Sequence, residues 1–364
     1  MIEKLKATPI VQAITDRKFL ESIAGVAIIL LITLIYFAPD IFDGNVLRQH
    51  DTVQGIANGQ EVKQFEAETG ETSRWTNSLF SGMPTFQISP SYGSSSLITA
   101  VERAYSLWLP NPANLVFIMM LGFYILLLAC RLRWHVALLG AIAYAFSSYF
   151  FIIIGAGHIW KFATLAYIPP TIAGIVLAYR GRYLLGGALA AFFAMLQLAA
   201  NHPQMTYYFL FVIAAMVVAY LYQAYKDKAL KRWGIATATL AGAALLAVAS
   251  NATSLYNTYE YSKLTMRGGH SELSSGNANS TKGGLDKNYI TAWSYGKSET
   301  FTLLIPNVKG GATIIPTHGE NLPTSVADLP YVHETVLKGE IAEYDEQNLG
   351  MFPQYFGDQP MSNG

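Results

Sequence analysis

The sequence predicts an all-α polytopic membrane protein with about seven transmembrane helices. Of its 364 residues, 52% are hydrophobic and only 13% are charged, and the apolar residues fall into long stretches. Soluble proteins carry about 25% charged residues, so this much apolar surface calls for a lipid environment. Basic and acidic residues number 24 each, so the chain has no net positive charge that would attract nucleic acid.

Seven stretches meet or approach the length of a membrane span. A helix needs about 20 mostly apolar residues to cross the hydrocarbon core, since each residue adds about 1.5 Å. The first stretch, residues 19–38, follows a basic lead over residues 1–18 and ends without a small-residue cleavage site, so we interpret it as an anchor and not as a signal peptide. The others are residues 114–130, 136–154, 162–179, 184–200, 205–225 and 234–256.

The short connections predict the orientation, because lysine and arginine near span ends stay on the cytoplasmic side. The lead and the three basic connections fall on one side: 131–133, 180–182 and 226–232. The turns 155–161 and 201–203 fall on the other side. We therefore expect a multi-pass protein of the bacterial cytoplasmic membrane with its N-terminus inside.

This orientation places two long polar segments outside the cell membrane. The bundle covers residues 19–256 and includes the outer loop 39–112; residues 257–364 form a second outer segment. That segment mixes turn-rich stretches with short β-prone runs such as 301–305. Its abrupt end predicts further helices beyond this chain. A single cysteine, Cys130, excludes an internal disulfide.

One segment of the first outer loop has the pattern of an amphipathic helix. Its apolar residues recur at helical spacing, with Glu102 and Arg103 on the other face: Leu97, Val101, Ala104, Tyr105 and Trp108. The pattern suits a helix that lies in the membrane interface. A plain packing helix has the same pattern.

The same loop carries the first candidate for chemistry. Asp51 lies about a dozen residues beyond the first span, near the membrane surface but in water. A carboxylate there could act as a base or hold a cation, and an ordinary solvated aspartate stays the alternative. Trp75 and Asn77 lie in an aromatic and polar block, 74–84, that suits a glycan or lipid headgroup. Interface aromatics explain that block equally well.

Further candidates for substrate binding lie at the predicted outer ends of spans and just beyond them. They are His158, Lys161, Asn201, His202, Gln204, Glu260, Arg267 and His270. Lysine and histidine suit a phosphate, whereas interface anchoring explains each residue singly. The acidic and histidine side chains show no diagnostic metal-ligand spacing, so we assign no metal or other cofactor and leave a divalent cation open.

Several blocks together resemble the YfhO-like family of bacterial membrane proteins. The resemblance rests on Gln49-x-Asp51 and on the blocks 75–84, 201–204, 267–272 and 292–295. That family looks like a branch of the GT-C glycosyltransferases, which take a sugar from a polyprenyl-phosphate donor on the outer face. The resemblance implies a polyprenyl-phosphate-linked sugar, an envelope glycan acceptor and membrane lipids as partners.

The resemblance carries a catalytic role to Asp51 alone. In that class an acidic residue of the first outer loop is typically the catalytic or metal-holding group. The paired acidic motif of some members is absent, because Thr52 follows Asp51, and this puts metal dependence in doubt.

Two other classes of function stay open. A transporter or flippase needs polar groups or broken helices within the membrane, and Gln197 and the pair Pro169-Pro170 meet that description. A non-catalytic assembly protein would use its outer segments to bind a partner.

Overall fold

A computed structural model describes residues 17–47, 49–88, 96–265, 280–281, 284–285, 287–291, 294, 296–305 and 308. The described part is mostly helical. Its contacts divide it into two units. One contains the residues up to Thr258 apart from Ser147–Tyr149, and the other contains Ser147–Tyr149 and the residues from Tyr259 onwards.

The helices follow one another with short connections through most of the chain. In order they are α1 (Arg17–Tyr36), α2 (Ala38–Phe42), α3 (His50–Asn58), α4 (Gln60–Thr69), α5 (Ser96–Tyr105), α6 (Ala113–Ala129), α7 (Trp134–Ala145), α8 (Ser148–Ala156), α9 (Ile159–Tyr179), α10 (Tyr183–Ala199), α11 (Pro203–Lys226), α12 (Leu230–Ser250) and α13 (Ala252–Ser262).

Strands are short and few in the described residues. In the outer loop, β1 (Trp75–Thr76) pairs antiparallel with β2 (Met83–Pro84), and the 3₁₀ turn Thr85–Gln87 follows. The second unit contains the antiparallel pair β3 (Ser280–Thr281) and β4 (Gly284–Leu285), helix α14 (Lys287–Thr291) and the 3₁₀ helix Glu299–Leu303.

The β-prone interpretation of residues 301–305 was wrong, because the 3₁₀ helix occupies most of that run. The Glu299 carboxylate is buried and accepts a hydrogen bond from the Gly296 backbone N–H at 2.5 Å. This bond from an N–H just before the helix stabilises the turn that leads into the 3₁₀ helix.

Four helices are long and apolar enough to cross a membrane: α1 over Phe19–Tyr36, α9, α11 and α12. Helices α7 and α8 form a fifth candidate if the bent pair counts as one span, and α6 and α10 are shorter apolar helices. Several apolar helices thus indicate a multi-pass membrane protein. All seven predicted stretches contain helix, but seven complete spans stay a prediction.

Two of the predicted spans differ from the structure in their continuity. The third, residues 136–154, is broken between α7 and α8 with a bend of 45°, next to Ser147 and Ser148. The last, residues 234–256, is interrupted at Asn251. Its side-chain amide donates to the carbonyls of Met195 and Ala247, each at 3.0 Å, and α13 begins at the next residue.

Helix α9 is the centre of the first unit. It packs against both α6 and α10, and 72% of its most apolar 18-residue segment is buried. In α11, only 6% of the most apolar 18-residue segment is buried. This helix is also apolar, and it exposes residues such as Leu210 and Phe211. Exposed apolar surface of this extent indicates contact with lipid.

The proline pair in α9 does not end the helix. Pro170 has no N–H to donate to the Ala166 carbonyl, which lies one turn earlier. Gly122 of α6 lies against that turn, so an added Cβ would be 2.7 Å from the Ala166 oxygen and 2.9 Å from Pro170 Cδ. Helix α6 can pass this close to α9 only because residue 122 is glycine. The backbone of α6 then covers the Ala166 carbonyl, which Pro170 leaves without its helical hydrogen bond.

Helices α9 and α10 also approach through glycine. A Cβ added at Gly174 would lie 2.7 Å from the Gly186 oxygen and 2.9 Å from Ala190 Cα. Small residues let two backbones come close, which is a main source of helix association in lipid. The pair Gly174 and Gly186 therefore sets the spacing between the two helices.

Helix α5 turns both Glu102 and Tyr105 towards the bundle, where the Tyr105 ring lies against Tyr167 and Phe193. Ile98 is 6% exposed, whereas Leu97 is 71% and Trp108, just beyond the helix, 70% exposed. Glu102 accepts a hydrogen bond from the Tyr167 hydroxyl at 3.3 Å. Burial raises the pKa of Glu102. The predicted apolar face is therefore divided, with Leu97 and Trp108 exposed and Tyr105 packed against the bundle.

The native cysteine provides a test of orientation. Cys130 is exposed at the end of α6, next to the basic turn assigned to the cytoplasm. We expect a membrane-impermeant maleimide to label Cys130 only after the cells are permeabilised. A Ser81→Cys, Cys130→Ser variant, with its thiol in the outer loop, should be labelled in intact cells. Labelling of Cys130 in intact cells would contradict the orientation.

The glycine contact predicts a loss of stability. Gly174→Ala places a methyl group against the backbone of α10, and overpacking of this kind costs about 1–3 kcal/mol. We expect a lower melting temperature for the purified protein in detergent. Gly242→Ala is the matched control, because nothing lies within 4 Å of a Cβ added at Gly242. Equal melting temperatures for the two variants would contradict the close approach.

Candidate functional site

A cavity of about 420 Å³ lies within the first unit, at the predicted outer side. This volume is in the range of small-molecule sites, about 300–1,000 Å³. Three segments line it. They contribute Asp51, Thr52 and Gly55; then Gly157, His158, Ile159, Trp160 and Lys161; then His202, Gln204 and Met205.

Each lining segment is the start of a helix. Asp51 lies in the first turn of α3, His158 immediately precedes α9, and His202 immediately precedes α11. Helix starts carry partial positive charge and backbone N–H groups without helical partners. The helix starts therefore add partial positive charge to the cavity wall, and the Asp51 carboxylate lies at one of them.

Asp51 and His158 form a close pair across the cavity wall. The Asp51 Oδ2 atom lies 3.1 Å from His158 Nε2, and the two side chains are 50% and 45% exposed. A half-exposed pair of this kind adds little to stability. It does place a carboxylate and an imidazole, two groups that transfer protons, side by side at the cavity.

His202 contributes a neutral imidazole to the same cavity. Burial lowers the pKa of His202, and the neighbouring charges of Lys161 and His158 lower it further. The lowered pKa favours the neutral imidazole, which can donate from one ring nitrogen and accept at the other. Among the described residues, neither His202 Nδ1 nor the buried Thr206 hydroxyl one turn further along has a hydrogen-bond partner.

The structure brings together five of the predicted site residues: Asp51, His158, Lys161, His202 and Gln204. Gln204 also donates from Nε2 to the Tyr208 hydroxyl at 2.9 Å. The five supply a proton acceptor, a positive charge and neutral hydrogen-bonding groups. Such a set can hold an anionic group and accept a proton from a nearby hydroxyl.

Trp75 and Asn77 lie in the β1–β2 hairpin and do not line this cavity. Trp75 donates from its indole N–H to Asn77 Oδ1 at 3.3 Å and covers Gly82, which has a φ of 123°. Glu61 of α4 holds the hairpin. Its carboxylate accepts hydrogen bonds from the Thr76 hydroxyl and from the backbone N–H groups of Asn77 (2.9 Å) and Ser78 (3.0 Å).

Asn201 has a structural contact of its own. It adopts a left-handed conformation with a φ of 54° at the turn between α10 and α11, which asparagine tolerates better than most residues. Its side chain donates to Gln87 Oε1 at 3.4 Å, and Gln87 donates to the Thr258 hydroxyl at 2.5 Å. This chain of amides joins the outer loop to the ends of the bundle helices.

The remaining predicted residues belong to the second unit or lie outside the described residues. Glu260 belongs to the second unit and accepts a hydrogen bond from Lys263 at 2.7 Å. Arg267 and His270 are outside the described residues. Within the described ranges, no group of three or more histidine, cysteine, aspartate or glutamate residues is placed to hold a metal ion.

The sequence prediction did not include seven residues at or behind the cavity: Gln49, Thr52, Gly55, Gly157, Ile159, Trp160 and Met205. Gln49 belongs to the Gln49-x-Asp51 motif, which was the available signal for its importance. The others carry no chemistry that would mark them from the sequence.

No protein-family model, curated protein or solved structure matches this chain. The resemblance to YfhO-like proteins therefore stays a hypothesis.

The contacts of Glu61 predict how the hairpin responds to mutation and pH. The bond from Thr76, reinforced by the two backbone bonds, lowers the pKa of Glu61. Its stabilisation is therefore present above the ordinary carboxyl pKa of 4.5 and is lost as the pH falls through the lowered value. We expect Glu61→Gln to weaken protection of the Asn77 and Ser78 amides in hydrogen exchange.

The difference in amide protection between Glu61→Gln and the wild type should shrink in acid, because the wild-type carboxylate then becomes protonated and uncharged like the amide. Glu68→Gln, on the same helix and exposed, is the control and should leave protection unchanged. Equal protection in Glu61→Gln and Glu68→Gln at neutral pH would contradict the role of Glu61.

Proposed function

We propose that the protein transfers a sugar from a polyprenyl-phosphate donor to an envelope glycan acceptor at the outer face of the bacterial cytoplasmic membrane. The observation that carries the proposal is the cavity where Asp51, His158, Lys161 and His202 meet at three helix starts. An enzyme needs a membrane location to reach a lipid-linked donor.

The residues of the cavity have matching roles in this reaction. The acceptor hydroxyl oxygen forms a bond to the anomeric carbon, and Asp51 takes the proton of that hydroxyl. The bond from the anomeric carbon to the phosphate oxygen breaks, and its electron pair leaves with the polyprenyl phosphate. Lys161 and the helix starts stabilise the departing negative charge, and neutral His202 donates a hydrogen bond to it.

The proposal includes seven complete spans with the N-terminus inside. Under this topology loop 39–112 and the cavity face outwards, where lipid-linked sugars are used. The broken α7–α8 pair and the short helices α6 and α10 then each serve as one span. The exposed apolar surface of α11 supports lipid contact on that side.

A transporter or flippase is the second candidate, and one feature favours it. The 45° break between α7 and α8 has the form of the discontinuous helices that line transport sites. Gln197 of α10 is 2% exposed, and its Nε2 has no hydrogen-bond partner among the described residues. A buried unpaired amide within an apolar helix is a group that a passing polar substrate would bind.

Asp51→Asn tests the transferase in membranes that contain the full-length protein and a polyprenyl-phosphate-linked sugar. The amide cannot accept the proton, and loss of a general base lowers kcat about 100-fold or more. Asp43→Asn is the control, since Asp43 is an exposed carboxylate of the same loop that lies outside the cavity.

Equal transfer by the Asp51→Asn and wild-type proteins would exclude Asp51 as the base. Movement of the labelled lipid across liposomes without transfer of its sugar would favour the transporter instead.

A further inference from the structure

Gln49 lies directly before α3, two residues from Asp51, and it is only 1% exposed. A glutamine amide buried to this extent must be paired, because an unsatisfied amide in the interior is destabilising. Its contacts therefore determine where this part of the outer loop lies.

The amide joins three segments. Gln49 Nε2 donates to the Ile154 carbonyl at 2.5 Å, near the end of α8. Gln49 Oε1 accepts from the Thr52 hydroxyl at 3.0 Å and from Asn111 Nδ2, just before α6, at 3.3 Å. The start of α3 is thus tied to the segment that leads into His158 and to the turn before α6.

Gly157 gives Gln49 the space to approach. It has a φ of 87°, and a Cβ added there would lie 3.1 Å from Gln49 Cβ and 3.1 Å from the Thr52 backbone nitrogen. The next residue is His158. The contact of Gln49 with Ile154 and Gly157 therefore fixes α3 against the same turn that presents the imidazole to Asp51.

We propose that Gln49 is the positioning residue that holds Asp51 against His158. Asp51 lies in the first turn of α3, where most of its neighbours are exposed, so the buried contacts of Gln49 locate this turn against the bundle. A role of the pair in proton transfer rests on the proposed function. The role of Gln49 in setting the geometry of the pair is independent of that function.

A metal bridge measures this geometry without any enzyme assay. Zinc binds thiolate sulfur at about 2.3 Å and imidazole nitrogen at about 2.0–2.1 Å, so it can join a thiolate at position 51 to His158. In full-length Asp51→Cys, Cys130→Ser protein in membranes, zinc should protect the introduced thiol from a maleimide. The further change His158→Ala should abolish the protection.

Adding Gln49→Met to the Asp51→Cys protein removes the amide and keeps the side-chain length. We expect at least a tenfold increase in the zinc concentration that gives half-protection. Gln60→Met, an exposed glutamine in the next helix, is the matched control and should leave that concentration unchanged. Thr52→Val, which removes one bond to Gln49, provides a milder variant if Gln49→Met does not fold.

Protection at the same zinc concentration in the Gln49→Met and Thr52→Val proteins, when both are folded, would overturn the proposal. Absence of protection with Gln49 and His158 intact would overturn it too, because the pair would not exist. Neither outcome depends on sugar transfer. If transfer is detected, Gln49→Met without the cysteine should lower kcat at least tenfold and leave the KM for the donor within twofold.

Discussion

The close packing of α9 against α6 and α10 is the constraint on which the rest of the first unit depends. Glycines at the contacts let the backbones approach, and one of them covers the carbonyl that Pro170 leaves without its helical bond. Because α9 is held on two sides, its first turn is fixed in space. That turn follows His158 and contains Lys161, so packing within the apolar region determines the geometry of the cavity.

The sequence predicted the helical class and the apolar stretches because burial in lipid leaves a strong compositional signal. It did not predict where the helices break. At the break, the Asn251 amide donates to the carbonyl of Met195, a residue distant in sequence that a local pattern does not reveal. The face of α5 was also difficult to assign, since periodicity alone does not show that Tyr167 provides Glu102 with a buried partner.

The candidate site was predictable in part for a related reason. Polar residues at the ends of spans on one predicted side tend to meet, and Asp51, His158 and His202 do. Trp75 and Asn77 have the same residue types as a binding site, yet they serve the hairpin that Glu61 holds. Sequence spacing does not distinguish a side chain that faces a cavity from one that closes a turn.

The convergence of three helix starts has a consequence for how this protein can change over evolution. Attraction for anions that arises from the peptide backbone survives replacement of any one side chain. Mutations among the lining residues can therefore change the side-chain contacts while the partial positive charge of the helix starts is kept. A cavity wall built in this way separates a contribution that the backbone conserves from side-chain contacts that are free to diverge.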